Sequence, residues 1–154
     1  MHVQYSVSVR LWGASSISAT NKRRGAIQVG DGTNPAFAPV ELLLAAVGGC
    51  SAFDFTKVVA ERGHPVRDLE VEVRGTRAAD ARLERLEVSY ILPAGTAVDD
   101  GDAAEAVRMT SDVLCTVSRT LVHSCPVEYR VARGRSHLSG GQRRTAPDLE
   151  ERGI

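Results

Sequence analysis

Residues 41–59 read ELLLAAVGGCSAFDFTKVV, and the reading of this stretch decides the fold. The run is apolar with helical character, yet two adjacent glycines, Gly48 and Gly49, stand directly before Cys50 in a chain with three cysteines. Each glycine costs a helix about 1 kcal/mol against alanine. Pro39 suits a first helical turn, where its missing N–H is not needed, and Gly63 and Pro65 suit a stop, so the pattern predicts a helix from Pro39 to Arg62. Between Leu42 and Val47 the run is apolar on nearly every side, which predicts burial all round. In that setting the glycines are removed side chains, admitting another backbone or a small substrate. On the helical wheel Cys50 shares a face with Ala46, Gly49 and Phe53, the lining of a narrow apolar slot around the sulfur. From this helix alone, a buried structural cysteine beside a helix-packing glycine pair fits as well.

Upstream, Val3, Tyr5, Val7, Val9 and Leu11 alternate with polar residues, which predicts a half-buried strand over 3–12. Residues 13–32 read as further strands broken by turns, with Asn21 and Gly25 flanking the basic cluster Lys22, Arg23, Arg24. Downstream, VRDLEVEVRGTR and RLERLEVSYIL alternate with Leu69, Val71, Val73 and Leu86, Val88, Tyr90 on one face apiece, joined by a charged turn as in a hairpin. Asp102 is placed to cap a second helix over 103–122, whose stripe is Val107, Leu114, Val117 and Leu121. PVEYRVAR reads as a last short strand, and residues 134–154, rich in Gly, Arg and Glu, as a mobile tail. The expected domain is therefore 1–133, with an α+β layout of strands, long helix, strands, helix, strand.

Bulk properties narrow the function classes. A chain of 154 residues with 43% hydrophobic and 25% charged residues is expected to form one globular domain. Nineteen basic residues balance nineteen acidic ones, so nothing global points to nucleic acid or an anionic membrane. The N-terminal residues alternate like a strand and do not resemble a signal peptide. The longest unbroken apolar run, Leu42 to Cys50, is half the roughly 18 residues of a membrane span. An odd, low cysteine count predicts reduced thiols and a cytoplasmic location.

A reactive thiol must be helped to ionise, since free cysteine has a pKa near ~8.5. Cys50 lies about three turns inside its helix, beyond the reach of the helix dipole. A cation from another segment is needed. Arg23 and Arg24 are the candidates, with Arg10 a weaker one. Cys115, beside Leu114 on the second helix, is placed where two packed helices could bring two thiols to disulfide distance, about 5.5–6 Å between Cα atoms. His123, Cys125 and Cys115 are too sparse for a zinc site, so no metal is expected. No phosphate-binding loop, dinucleotide fingerprint or serine elbow is present.

The segment PVELLLAAVGGCSAFDFTKVV, followed some 65 residues later by LCTVSRTL, resembles the OsmC/Ohr family of osmotically inducible and organic hydroperoxide resistance proteins, over about residues 3–133. The resemblance implies an α+β fold with antiparallel sheets and a long central cysteine-bearing helix, in an intertwined homodimer. It implies a thiol-dependent peroxidase acting on organic hydroperoxides without a cofactor, with Cys50 as the peroxidatic and Cys115 as the resolving thiol. A dithiol reductant of lipoyl or thioredoxin type would restore them. Cys125 falls outside the pattern. Where characterised members carry a glutamate ten residues before the first cysteine, this chain has Val40; Glu41 follows one position later, rotated about 100° around the helix. The family's activating arginine matches KRRG loosely, leaving Arg24 or Arg23 for that role. The rival reading is a non-peroxidatic small-ligand binding or scaffold dimer with inert thiols, which Val40 favours.

Overall fold

The alternating segments and the long apolar helix form two three-stranded sheets and a helical layer. The structure, a computed structural model, describes residues 3–12 and 14–134. The expected mobile tail, beyond Gly134, lies outside the described residues.

The first sheet is an antiparallel meander of β1 (Val7–Trp12), β2 (Ser16–Asn21) and β3 (Ala26–Gly30). Asn21 shapes the second turn: its Oδ1 accepts from the N–H groups of Arg23 at 2.9 Å and Gly25 at 3.0 Å, and Arg24 takes a left-handed φ of 66°. The strand expected to be half-buried is not. Val7, Val9 and Leu11 are 64, 65 and 63% exposed, because no element of the protomer covers the face their alternation creates.

Helix α1 (Pro39–Glu61) starts with proline at its first position, and Glu41 accepts a hydrogen bond from the Ala38 N–H at 2.8 Å. It ends before Gly63, whose φ of 87° suits glycine. All-round burial is corrected to one flank. Val47, Gly48, Ser51, Phe55, Val58 and Val59 are buried, whereas Ala45, Ala46 and Phe53 are exposed. Although no unbroken apolar run suggests a span, α1 is long and apolar enough to cross a membrane. In this fold its buried flank packs on the second sheet and the following helices.

The glycine pair divides into two roles. A Cβ on Gly48 would meet Val73 Cγ2 at 3.1 Å, so this glycine lets α1 lie close on the sheet. A Cβ on Gly49 would meet nothing within 4 Å.

The second sheet joins β4 (Glu70–Arg77), β5 (Leu83–Leu92) and β6 (Val127–Arg133). The β4–β5 hairpin pairs antiparallel as expected, and Leu86, Val88, Tyr90 and Leu92 are fully buried on one face. β6 runs parallel to β5, so this sheet is mixed where antiparallel sheets were expected. A parallel neighbour requires a crossover, and the second helical segment supplies it.

That segment is not one helix over 103–122. Helix α2 (Asp100–Met109) passes into a π-helical turn, Thr110–Leu114, the chain is extended at Cys115 (φ −68°, ψ 101°), and α3 (Thr116–Leu121) follows. Hydroxyl competition fits the irregularity: Ser111 Oγ donates to the Arg108 carbonyl at 3.1 Å. The cap is also reassigned. Asp99 Oδ1 accepts from the Asp102 N–H at 2.8 Å, while the Asp102 carboxylate binds Arg62 at 3.1 Å and His64 at 3.2 Å, fastening the end of α1 to α2. The stripe Val107, Leu114, Val117 and Leu121 still packs against the core.

Candidate functional site

The break before α3 turns Cys115 inward. Its sulfur takes the place of a cap side chain, accepting from the Ser118 N–H at 3.4 Å, and lies 3.2 Å from Ser118 Oγ. Cys115 is wholly buried and Cys50 half-buried. The Cys50 sulfur, the Cys115 sulfur and an Asp54 carboxylate oxygen all lie within 4.8 Å of one another. The Cys50 thiol donates to Asp54 Oδ2 at 3.6 Å, a long contact made along one face of α1 by the four-residue spacing. Sequence reasoning missed Asp54, although the string CSAFD carries that spacing.

The electrostatics oppose ionisation. Burial, the Cys115 side chain and the Asp54 charge raise the Cys50 thiol from an ordinary 9.0 to about 11, against a lowering influence from the Val117 N–H. No cation among the described residues contributes. Arg23 and Arg24 sit exposed on the β2–β3 turn of the first sheet, so the expectation of a guanidinium beside Cys50 is not met within one protomer. Arg10 stacks over Trp12, 5.2 Å from the ring centroid. Glu41 is engaged at the start of α1 by the Ala38 N–H. Of the expected slot, Ala46 is exposed, Gly49 has an open side and Phe53 is 81% exposed, so one protomer leaves the slot unclosed. A cavity of about 530 Å³ adjoins the slot at Gly49, lined also by Phe37, Glu41, Leu44, Gly48 and Val73 among others, without Cys50 itself. Cys125 is buried, which raises its thiol, and stands outside the cluster. Tyr90 OH and Ser51 Oγ are buried, near enough to act on each other and with no other hydrogen-bond partner among the described residues.

Because Asp54 raises the Cys50 thiol, Asp54→Asn is expected to lower it. At pH 8, where an ordinary thiol is only slightly ionised, peptide-resolved alkylation of Cys50 by iodoacetamide should then accelerate severalfold, up to about tenfold per pKa unit gained. An unchanged or slower rate would show that the carboxylate does not act on this thiol.

Residues 30–130 match the family described as OsmC-like protein. The chain belongs to the OsmC-like family. Protein YhfA of Escherichia coli K12 is 30% identical over 93 residues, 60% of this chain and 69% of that protein. Among solved structures, an OsmC-like protein from Mycoplasma pneumoniae superposes with a TM-score of 0.76 at 18% identity, covering 87% of this chain and 99% of the other. An organic hydroperoxide resistance protein from Elizabethkingia anophelis gives a TM-score of 0.66 at 14% identity, with 87% and 99% covered. These likenesses show that the OsmC-like fold, with two small sheets and a central helix, is the fold of this chain.

Proposed function

We propose that this OsmC-like chain is a thiol-dependent reductase of organic hydroperoxides, working as a homodimer through a Cys50–Cys115 disulfide cycle. The observation that carries the reading is the approach of the two sulfurs to within 4.8 Å, with Cys115 turned inward by the chain break. The name of the Elizabethkingia protein supports the substrate class.

In the proposed cycle the Cys50 thiol loses its proton to solvent. The Cys50 sulfur then attacks the distal peroxide oxygen, the O–O bond breaks, and the alkoxide leaves as alcohol after taking up a proton. Cys50 is now a sulfenic acid. The Cys115 sulfur attacks it, a disulfide forms and water leaves. A dithiol of lipoyl or thioredoxin type returns both thiols by exchange, in a reducing compartment such as the cytoplasm.

The homodimer rests on exposed apolar surface. A three-stranded sheet with one face of Val7, Val9 and Leu11 in water, beside the open Ala46, Gly49 and Phe53 flank of α1, presents two surfaces suited to cover each other between protomers. The covering sheet carries Arg23 and Arg24, so assembly would bring the cation that one protomer lacks. Light scattering is expected to give a dimer at micromolar concentration; a stable, well-folded monomer would contradict it. Gly49→Ala separates the two environments. In a lone protomer the change is free of clashes and gains about 1 kcal/mol of helix propensity. In the dimer it is expected instead to weaken association and turnover.

A second reading, a scaffold or small-ligand dimer with inert thiols, is favoured by the raised Cys50 thiol. Peptide mapping after cumene hydroperoxide decides between them. A Cys50–Cys115 bridge supports the reductase, and unreacted thiols, or Cys125 in the dominant bridge, refute it.

A further inference from the structure

The cluster of Cys50, Asp54 and Cys115 has the composition of a metal site. Two sulfurs and a carboxylate oxygen come from two separate elements, α1 and the break before α3, and lie within 4.8 Å of one another. Tetrahedral zinc, with bonds of about 2.3 Å to sulfur, needs its two thiolates about 3.8 Å apart, so closing the cluster takes side-chain adjustments of about 1 Å. Cys50 and Asp54 are held one above the other by the helix, and Cys115 is fixed by Ser118. Once ionised, the three groups carry only negative charge, and within one protomer no cation among the described residues offsets it. Tyr90 and Ser51 carry buried hydroxyls close enough to act on each other, and the charges of Cys115 and Asp54 act on Tyr90.

We infer that the reduced protein binds one thiophilic divalent cation, zinc above all, through Cys50, Cys115 and Asp54, with one coordination position left open. Sequence reasoning looked for ligands around Cys115, His123 and Cys125 and expected none. The third ligand comes instead from the helix of Cys50. Binding does not depend on the peroxidase reading, but its consequence does. Both thiolates are ligands, so metal occupancy and disulfide formation exclude each other. A hydroperoxide that takes two electrons from the thiolates, with two protons from solvent, yields the Cys50–Cys115 disulfide, alcohol and water, and the metal leaves with only the carboxylate to hold it.

The test is titration of the full-length reduced protein, kept anaerobic, with zinc by calorimetry and with cobalt by absorbance. One cation per protomer is expected, with a thiolate-to-cobalt charge-transfer band and the visible bands of tetrahedral cobalt. Cys50→Ser and Cys115→Ser should lose this signal, Asp54→Asn should bind about tenfold more weakly or worse, and Cys125→Ser should bind as wild type. Folded wild-type protein that binds no metal, or Cys50→Ser protein that binds as well as wild type, would overturn the site. Cumene hydroperoxide added to the zinc-loaded protein should release the metal, read with a zinc-sensitive dye. Retention of metal with both thiols reduced would overturn the release and the peroxidase reading while leaving the site intact.

Discussion

Cys50→Ser is expected to reduce hydroperoxide turnover to background, a loss of roughly three orders of magnitude or more, whereas Cys115→Ser should fail differently. Without Cys50 no accessible thiol remains to attack the O–O bond, because Cys115 is wholly buried and already engaged with Ser118, and Cys125 is buried as well. Without Cys115 the first step survives: about one equivalent of peroxide is consumed per protomer and the reaction stops at a sulfenic acid, trapped by dimedone on Cys50. The readout is peroxide consumed per protomer, together with the mass of the Cys50 peptide. If Cys115→Ser sustains turnover with a dithiol reductant at the wild-type rate, Cys115 is not the resolving thiol. If Cys50→Ser retains turnover, the chemistry lies elsewhere in the chain.

The largest effect on stability is expected from Phe55→Ala. Phe55 is fully buried on the inner flank of α1, and its ring stacks on Tyr90 with centroids 4.7 Å apart and planes at 27°. The pair joins the helix to the central strand of the second sheet. Removing the ring loses its transfer energy, the aromatic contact and the fit of the surrounding core, a total of about 3–5 kcal/mol. Urea unfolding at fixed protomer concentration checks this, since association would otherwise shift the midpoint. Phe55→Leu, which leaves most of the volume filled, should cost less. A loss below about 1 kcal/mol for the alanine variant would mean that the helix and sheet are held together elsewhere.

Much of the fold could be read from residue pattern, and the places where the reading failed share a physical cause. The β5 alternation places Leu86, Val88 and Tyr90 in the core as read, because period-two burial is local and one face of that strand is covered within the protomer. The same reasoning applied to β1 and α1 predicted burial that one protomer does not provide. Apolar patterning records what a residue packs against, not whether the covering surface belongs to the same chain. Gly48 and Gly49 look alike in sequence, and only the position of Val73 tells them apart. Cys50 and Cys115 were legible as a pair, but the break that orients Cys115 was not, since the apolar stripe continues through it. Arg23 and Arg24 were chosen because a thiolate needs a cation, which is an argument about chemistry and not about distance. Asp54 was overlooked for the converse reason: a carboxylate beside a thiol opposes the ionisation being sought.

The π-helical turn at Thr110–Leu114 is equivalent to one residue too many for a regular helix at that point. Here chain length, more than side-chain identity, aims the second thiol. A single-residue deletion within the turn would restore regular winding and rotate Cys115 by about 100° relative to α2. Every residue of the Cys50 helix could remain unchanged while the two sulfurs no longer met. Within such a lineage, the capacity to join these thiols could be gained or lost through one codon of length, with both cysteines still in place.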